Sequence, residues 1–175
     1  MSSPSPTVPS RCSSAARLSA QATAADVLAT LDAWYESQLI VAGVAARESD
    51  DPGVRSYAQG LVANYGRYRD ELTYLRSRSG HGLADQPQAQ QVRAEGRAAV
   101  SRLQEVPEMD FDVAFVEAQA AQTRQFLRIL AYDLLPVTTD PDLQTLLLQT
   151  KGTAKTDLSV LRGFQTRFGT LPTGI

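Results

Sequence analysis

His81 and Cys12 are the residues best suited to nucleophilic or metal chemistry, and each is the only one of its kind in the chain. A zinc site built from Cys and His needs more ligands than this pair supplies, and a lone Cys excludes an internal disulfide. A thiol/imidazole catalytic pair would have to be Cys12 with His81, and both are poorly placed. Cys12 lies in a Ser/Pro/Ala-rich N-terminal stretch, and His81 lies between Gly80 and Gly82, just past the expected end of a helix. Ser-His-Asp catalysis would recruit the same Gly-flanked imidazole, which nothing in the sequence orients. The chain has no Gly-x-Ser-x-Gly elbow, Walker-type phosphate loop or Rossmann glycine fingerprint.

Carboxylate chemistry is the other possibility. A carboxylate-bridged di-iron bundle needs Glu on two helices and Glu-x-x-His on the other two, and no Glu-x-x-His occurs. What remains on the inward seams is polar: Gln38, Tyr65, Tyr68, Gln119, Gln122, Thr123, Thr150 and Asp157. Asp157 is the most informative, because a buried carboxylate is costly unless hydrogen-bonded or paired. One reading makes Asp157, Tyr65 and Gln38 the lining of a small polar pocket or a degenerate metal site. The reading adopted places Asp157 at the edge of its seam, reaching solvent or an Arg, with the tyrosines as core aromatics whose hydroxyls find partners. Trp34 and Tyr35 read as core and flank. A weaker alternative sets a metal between Asp157 and Glu36, Glu71 or Glu117. No cofactor and no catalytic residue is expected.

The elements that position these residues are helices, since apolar residues recur at helical spacing and period-2 alternation is nowhere sustained. Val54, Ala58, Leu61, Tyr65, Tyr68, Leu72 and Leu75 step by four and three. Asp51-Pro52 starts that helix and Gly80 stops it. The same grammar returns at Asp140-Pro141, followed by Leu143, Leu147, Thr150, Ala154, Asp157 and Leu161, with Gly169 and Pro172 as the stop. Each is preceded by another helix: 24 to about 48, with Val27, Leu31, Trp34, Val41 and Ala45 inward, and about 110 to 135, with Phe111, Phe115, Phe126, Ile129 and Leu130. Thr23 and Asp110 are the expected caps. The two Asp-Pro pairs stand 89 residues apart, and that offset also aligns Val27 with Val116 and Leu72 with Leu161. Two similar hairpins follow. Between them, residues 87–104 form a shorter helix interrupted by Gly96.

The expected fold is all-α: an antiparallel four-helix bundle over 23–168, ferritin-like, with a short extra helix in the central connection and tails at 1–22 and 169–175. The central connection could run along the bundle or fold as an insert in a simple up-down-up-down arrangement, and spacing leaves both open.

With 175 residues, 43% of them hydrophobic, one core can close without staples. Net charge is −2, so no general nucleic-acid footprint is expected. Arg55, Arg67, Arg69, Arg76 and Arg78 read as a solvated face. Residues 1–22 are too poor in large apolar side chains to offset their ordering entropy and read as a flexible tail. Ala20-Gln21-Ala22 has the form of a signal-peptidase site without the apolar region that should precede it. No apolar run is long enough to span a membrane.

Three stretches carry a family resemblance: Ser49-Asp50-Asp51-Pro52-Gly53-Val54-Arg55, then Met109-Asp110-Phe111-Asp112-Val113-Ala114-Phe115, then Asp140-Pro141-Asp142-Leu143-Gln144. They resemble the bacterial domain of unknown function 4142. The resemblance implies a ferritin-like four-helix bundle, commonly exported, with no established activity. Its members typically carry an acidic residue on the first helix and a histidine on each of the next three, facing inward as if for metal. Those positions fall here on Gln38, Tyr65, Thr123 and Asp157, so every implied ligand is changed. The expectation is a non-catalytic bundle, periplasmic or extracellular, acting through a protein partner or self-association. The alternatives are a metal-binding or redox bundle and a small-ligand binder.

Overall fold

Five α-helices account for most of the chain: α1 (Cys12–Glu48), α2 (Pro52–Ser79), α3 (Pro87–Glu105), α4 (Phe111–Ile129) and α5 (Pro141–Phe168). The structure, a computed structural model, describes residues 12–82 and 86–170, with side chains from residue 24 onward. Among the described residues there is no strand.

Local chemistry sets both ends of α2 and of α5. Asp51 Oδ1 accepts from the amides of Gly53 and Val54 at 2.8 and 2.9 Å, and Asp140 Oδ1 accepts from Leu143 at 2.8 Å. Each carboxylate meets amides that have no partner inside the helix. Gly80 and Gly169 close α2 and α5 at φ 68° and 71°, a left-handed conformation that costs glycine little.

Two caps differ from expectation. α1 begins at Cys12, so residues 12–22 of the expected tail are helical and Thr23 lies inside the helix. That stretch has no Gly or Pro, and six Ala fall between positions 15 and 25; alanine has the highest helix propensity. Residues 1–11, the rest of that tail, and 171–175 lie outside the described residues. Asp110 makes no capping bond and closes a short 3-10 turn at Glu108–Asp110. The end of α4 also differs: instead of running on as α-helix it widens over Leu130–Leu134 and tightens over Leu135–Val137. Pro136 explains this, because proline lacks an amide hydrogen and its ring crowds the preceding turn. The ladder opens so that the Leu135 amide reaches back to Leu130 O.

Contacts at the two ends give the path of the chain. α1 and α2 form an antiparallel hairpin. Arg78, at the end of α2, pairs with Asp142 at the start of α5, and Gln88, at the start of α3, bonds Asp133 beyond α4. At the opposite end Asp112 of α4 meets Ser49 and Asp51, and Arg167 of α5 meets Asp51. α3 therefore returns the chain along α1, with which it packs extensively, before α4 descends.

The core is continuous. Leu31, Tyr35, Leu61, Tyr65, Phe115, Phe126, Leu147 and Leu161 are among its largest fully buried side chains. Gly96 does not interrupt α3: a Cβ there would lie 2.4 Å from Ser37 Oγ, so the glycine is what lets α3 approach α1. Ser37 Oγ in turn donates to Val92 O at 2.9 Å.

Candidate functional site: a polar layer inside the core

The middle of α2 and α5 brings Tyr65 against Asp157. The Tyr65 hydroxyl donates to Asp157 Oδ2 at 2.9 Å, and both residues are buried. Asp157 is not at the edge of its seam: it is only 7% exposed and its partner is a phenol, not solvent or an arginine. Burial pushes its pKa up to about 6, and the Tyr65 hydrogen bond pulls the other way. Tyr65 is raised well above the ordinary phenol value, first by burial and then by the Asp157 charge. Tyr57, one helical stretch earlier on α2, is raised for the same two reasons, and its buried hydroxyl has no hydrogen-bond partner among the described residues.

Gln38 does not join that pair. Its side-chain oxygen accepts from Gln119 Nε2 across α1 and α4, which leaves Gln38 Nε2 and Gln119 Oε1 buried without partners among the described residues. Thr123, one turn on, donates back to Gln119 O at 2.8 Å. Two further tyrosines end on threonines. Thr150 Oγ1 gives its proton to Leu146 O at 2.8 Å, so the Tyr35 hydroxyl is the donor in its 2.6 Å bond to Thr150. Tyr68 meets Thr153 at 2.6 Å.

The carboxylates of the metal alternative sit elsewhere. Glu36 accepts from Arg93 Nε at 3.0 Å, beside Asp32, which is held by Arg93 at 2.9 Å and Arg69 at 3.1 Å. Burial disfavours the Arg93 charge, but Glu36 and Asp32 outweigh it and raise its pKa. Glu71 is half-buried and Glu117 exposed. Among the described residues no three His, Cys, Asp or Glu side chains gather as metal ligands. At the four positions that the resemblance implies as ligands stand a carboxylate and the phenol that donates to it, one amide paired to another amide, and one threonine bonded to its own helix. That donor set does not fit a resident transition metal, which favours several convergent imidazole or carboxylate groups.

His81 lies at the far end, in a surface cavity of about 170 Å³ shared with Arg78, Asp140 and Asp142. Beside Trp34, Gln122 and Phe126 a small cleft of about 10 Å³ has room for one water at most.

Sequence reasoning singled out Tyr65 and Asp157 but missed their pairing, and missed Gln119 as the partner of Gln38. It also missed the Asp32–Arg93 ion pair. Helical spacing could have placed Asp32 and Glu36 on one face, but not opposite α3.

Two of the three stretches that carried the resemblance also meet, with Arg167 of α5 joining them. Asp112 accepts from Ser49 Oγ at 2.5 Å and from the Asp51 amide at 3.0 Å, while Arg167 Nη2 reaches Asp51 Oδ2 at 2.6 Å. Arg55 Nε adds a bond to Ser49 O at 2.9 Å. A family model described as a domain of unknown function matches residues 9–162. No curated protein and no solved structure shows a significant match.

Proposed function

The chain belongs to the domain of unknown function family DUF4142, and on that premise we propose that it is a non-catalytic ferritin-like four-helix bundle, exported or envelope-associated, that works through a protein partner or a second copy. The observation that carries this reading is the polar layer. The positions where the family places its inward ligands are filled by side chains that bind one another or their own helix: Tyr65 to Asp157, Gln38 to Gln119, Thr123 to Gln119 O.

The arrangement is supported by the path of α3, which carries the chain back along α1 between the two hairpins, as a ferritin-like crossover requires. No described helix is long and apolar enough to cross a membrane, so association with an envelope would run through protein contacts or a segment outside the helices. Elemental analysis of untagged protein tests the reading. The expected result is iron and manganese far below one per chain. Stoichiometric metal that is lost on Asp157→Ala would overturn it. Fractionation of cells expressing the natural gene tests location, and recovery in the cytosol would sink the export part alone.

A further inference from the structure

Four oxidisable rings lie close together in the core. The Trp34 and Tyr65 ring centroids are 6.2 Å apart and edge-to-face, and Tyr65 lies 6.0 Å from both Tyr35 and Tyr68, which are 5.9 Å from each other. Only Tyr65 among them has a base. Its hydroxyl meets a carboxylate oxygen of Asp157, whereas those of Tyr35 and Tyr68 meet the neutral hydroxyls of Thr150 and Thr153. Tyr68 is the member nearest solvent, at 8% exposure, with the Arg67 guanidinium 5.5 Å from its ring centroid.

Removing an electron from a phenol makes its proton strongly acidic, so oxidation in a dry interior is easy only where that proton has a place to go. A buried net charge is costly. Here the reactant pair, phenol and carboxylate, is an anion, and the product pair, phenoxyl radical and carboxylic acid, is neutral. The burial that raises the proton affinity of Asp157 therefore favours the oxidised side.

We propose that Tyr65 with Asp157 is a proton-coupled one-electron donor, reached through Tyr68, Tyr35 and Trp34, which makes the domain a sink for diffusing one-electron oxidants such as peroxyl radicals. The Tyr65 O–H bond breaks and its proton forms an O–H bond on Asp157 Oδ2. One electron leaves by way of Tyr68. A peroxyl radical that takes that electron and a proton from water becomes a hydroperoxide and leaves a hydroxide ion in solution, while the protein retains the Tyr65 phenoxyl radical with the proton on Asp157. An electron needs no open cavity to leave, so the site stands independently of the scaffold reading and of its metal test.

The test is flash oxidation of the full chain by photogenerated tris(bipyridine)ruthenium(III), in a background where the exposed Tyr74 and Tyr132 (59% and 77%) are changed to Phe. The expected result is a long-lived tyrosyl radical that forms more slowly in deuterated water. Tyr65→Phe should remove it. Asp157→Asn keeps an acceptor for the Tyr65 hydroxyl but no base, and should slow radical formation by about a hundredfold, the low end of what a positioned base contributes. Circular dichroism verifies that each variant is folded. A radical that survives Tyr65→Phe, or one whose rate is unchanged by Asp157→Asn, overturns the proposal. If neither variant folds, the background protein decides, and the absence of a solvent isotope effect there overturns it.

Discussion

Asp51 and Asp157 are the same residue type in opposite circumstances, one at the first turn of α2 and one in the middle of α5. Asp51 gathers donors: the Arg167 guanidinium and the amides of Gly53 and Val54, which together hold its carboxyl below the ordinary range against some burial, with Arg167 the largest influence. Asp157 has one donor, Tyr65, and burial wins. The difference is geometric. The first amides of a helix have no intrahelical partner and are free to bind a carboxylate, whereas amides in mid-helix are already committed to the ladder. A carboxylate inside the bundle must be served by side chains, and here only a phenol arrives.

The two regions differ in the same way as whole assemblies. At the Asp51 end, residues from two of the stretches that carry the family resemblance, joined by Arg167 of α5, form a charged clamp. In the middle, the positions that resemblance would fill with ligands hold neutral pairs around one carboxylate. The first region matches the stretches that carry the resemblance, and the second holds other residue types than those the resemblance implies.

The comparison can be broken most sharply at the clamp. Asp112→Ala leaves the Asp51 amide without its acceptor and the fully buried Ser49 with only the Asp51 carbonyl, and should cost ~2 kcal/mol by urea unfolding, the scale of hydrogen bonds to a charged group. An unchanged midpoint would mean that the clamp is decoration. In the middle, Gln119→Leu alone should cost ~2 kcal/mol because it strands Gln38 in the core. Gln38→Leu combined with Gln119→Leu should recover most of that loss. A double variant as unstable as the single would show that the amide pair is needed for more than mutual satisfaction.

Smaller still is the effect of Asp157→Asn, a gain of ~1 kcal/mol at pH 8. The folded protein holds the Asp157 proton up to about pH 6, while the ordinary value is 3.8. Between those values the folded state binds more protons than the unfolded chain, so the contribution of this group is fully present below about 3.8 and falls away as pH rises through 6. The variant should flatten that decline, and a parallel pair of stability profiles would refute the assignment. Asp51 acts with the opposite sign: its contribution is present above the ordinary carboxylate value and is lost as pH falls. Arg167→Ala, which removes a half-exposed partner of Asp51, should cost only ~0.5 kcal/mol, and less in high salt. A loss several times larger, measured the same way, would put Arg167 among the principal supports of the clamp.

Helix content, the inward seams and the Asp-Pro starts were legible because each is decided within a few residues: an apolar spacing, an acceptor before free amides, a glycine where φ turns positive. The widened turn before Pro136 was within reach of the same reasoning, since the missing amide is written in the chain. Asp157 was legible as a problem but not in its solution. Its distance from solvent and its pairing with Tyr65, 92 residues away, depend on how α2 faces α5. Gly96 was legible only as a weak point, yet it is a contact, because Ser37 occupies the space its side chain would need.

The amino-acid order therefore determined the rods, their ends and the absence of an imidazole set. Tertiary structure alone decided which polar groups meet: that Gln38 finds Gln119, that Arg93 closes on Asp32 and Glu36, and that one buried carboxylate is left with a tyrosine. Periodicity specifies the face a side chain occupies, but the partner on that face is set by the register and rotation of a neighbouring helix, which depend on the packing of the entire core.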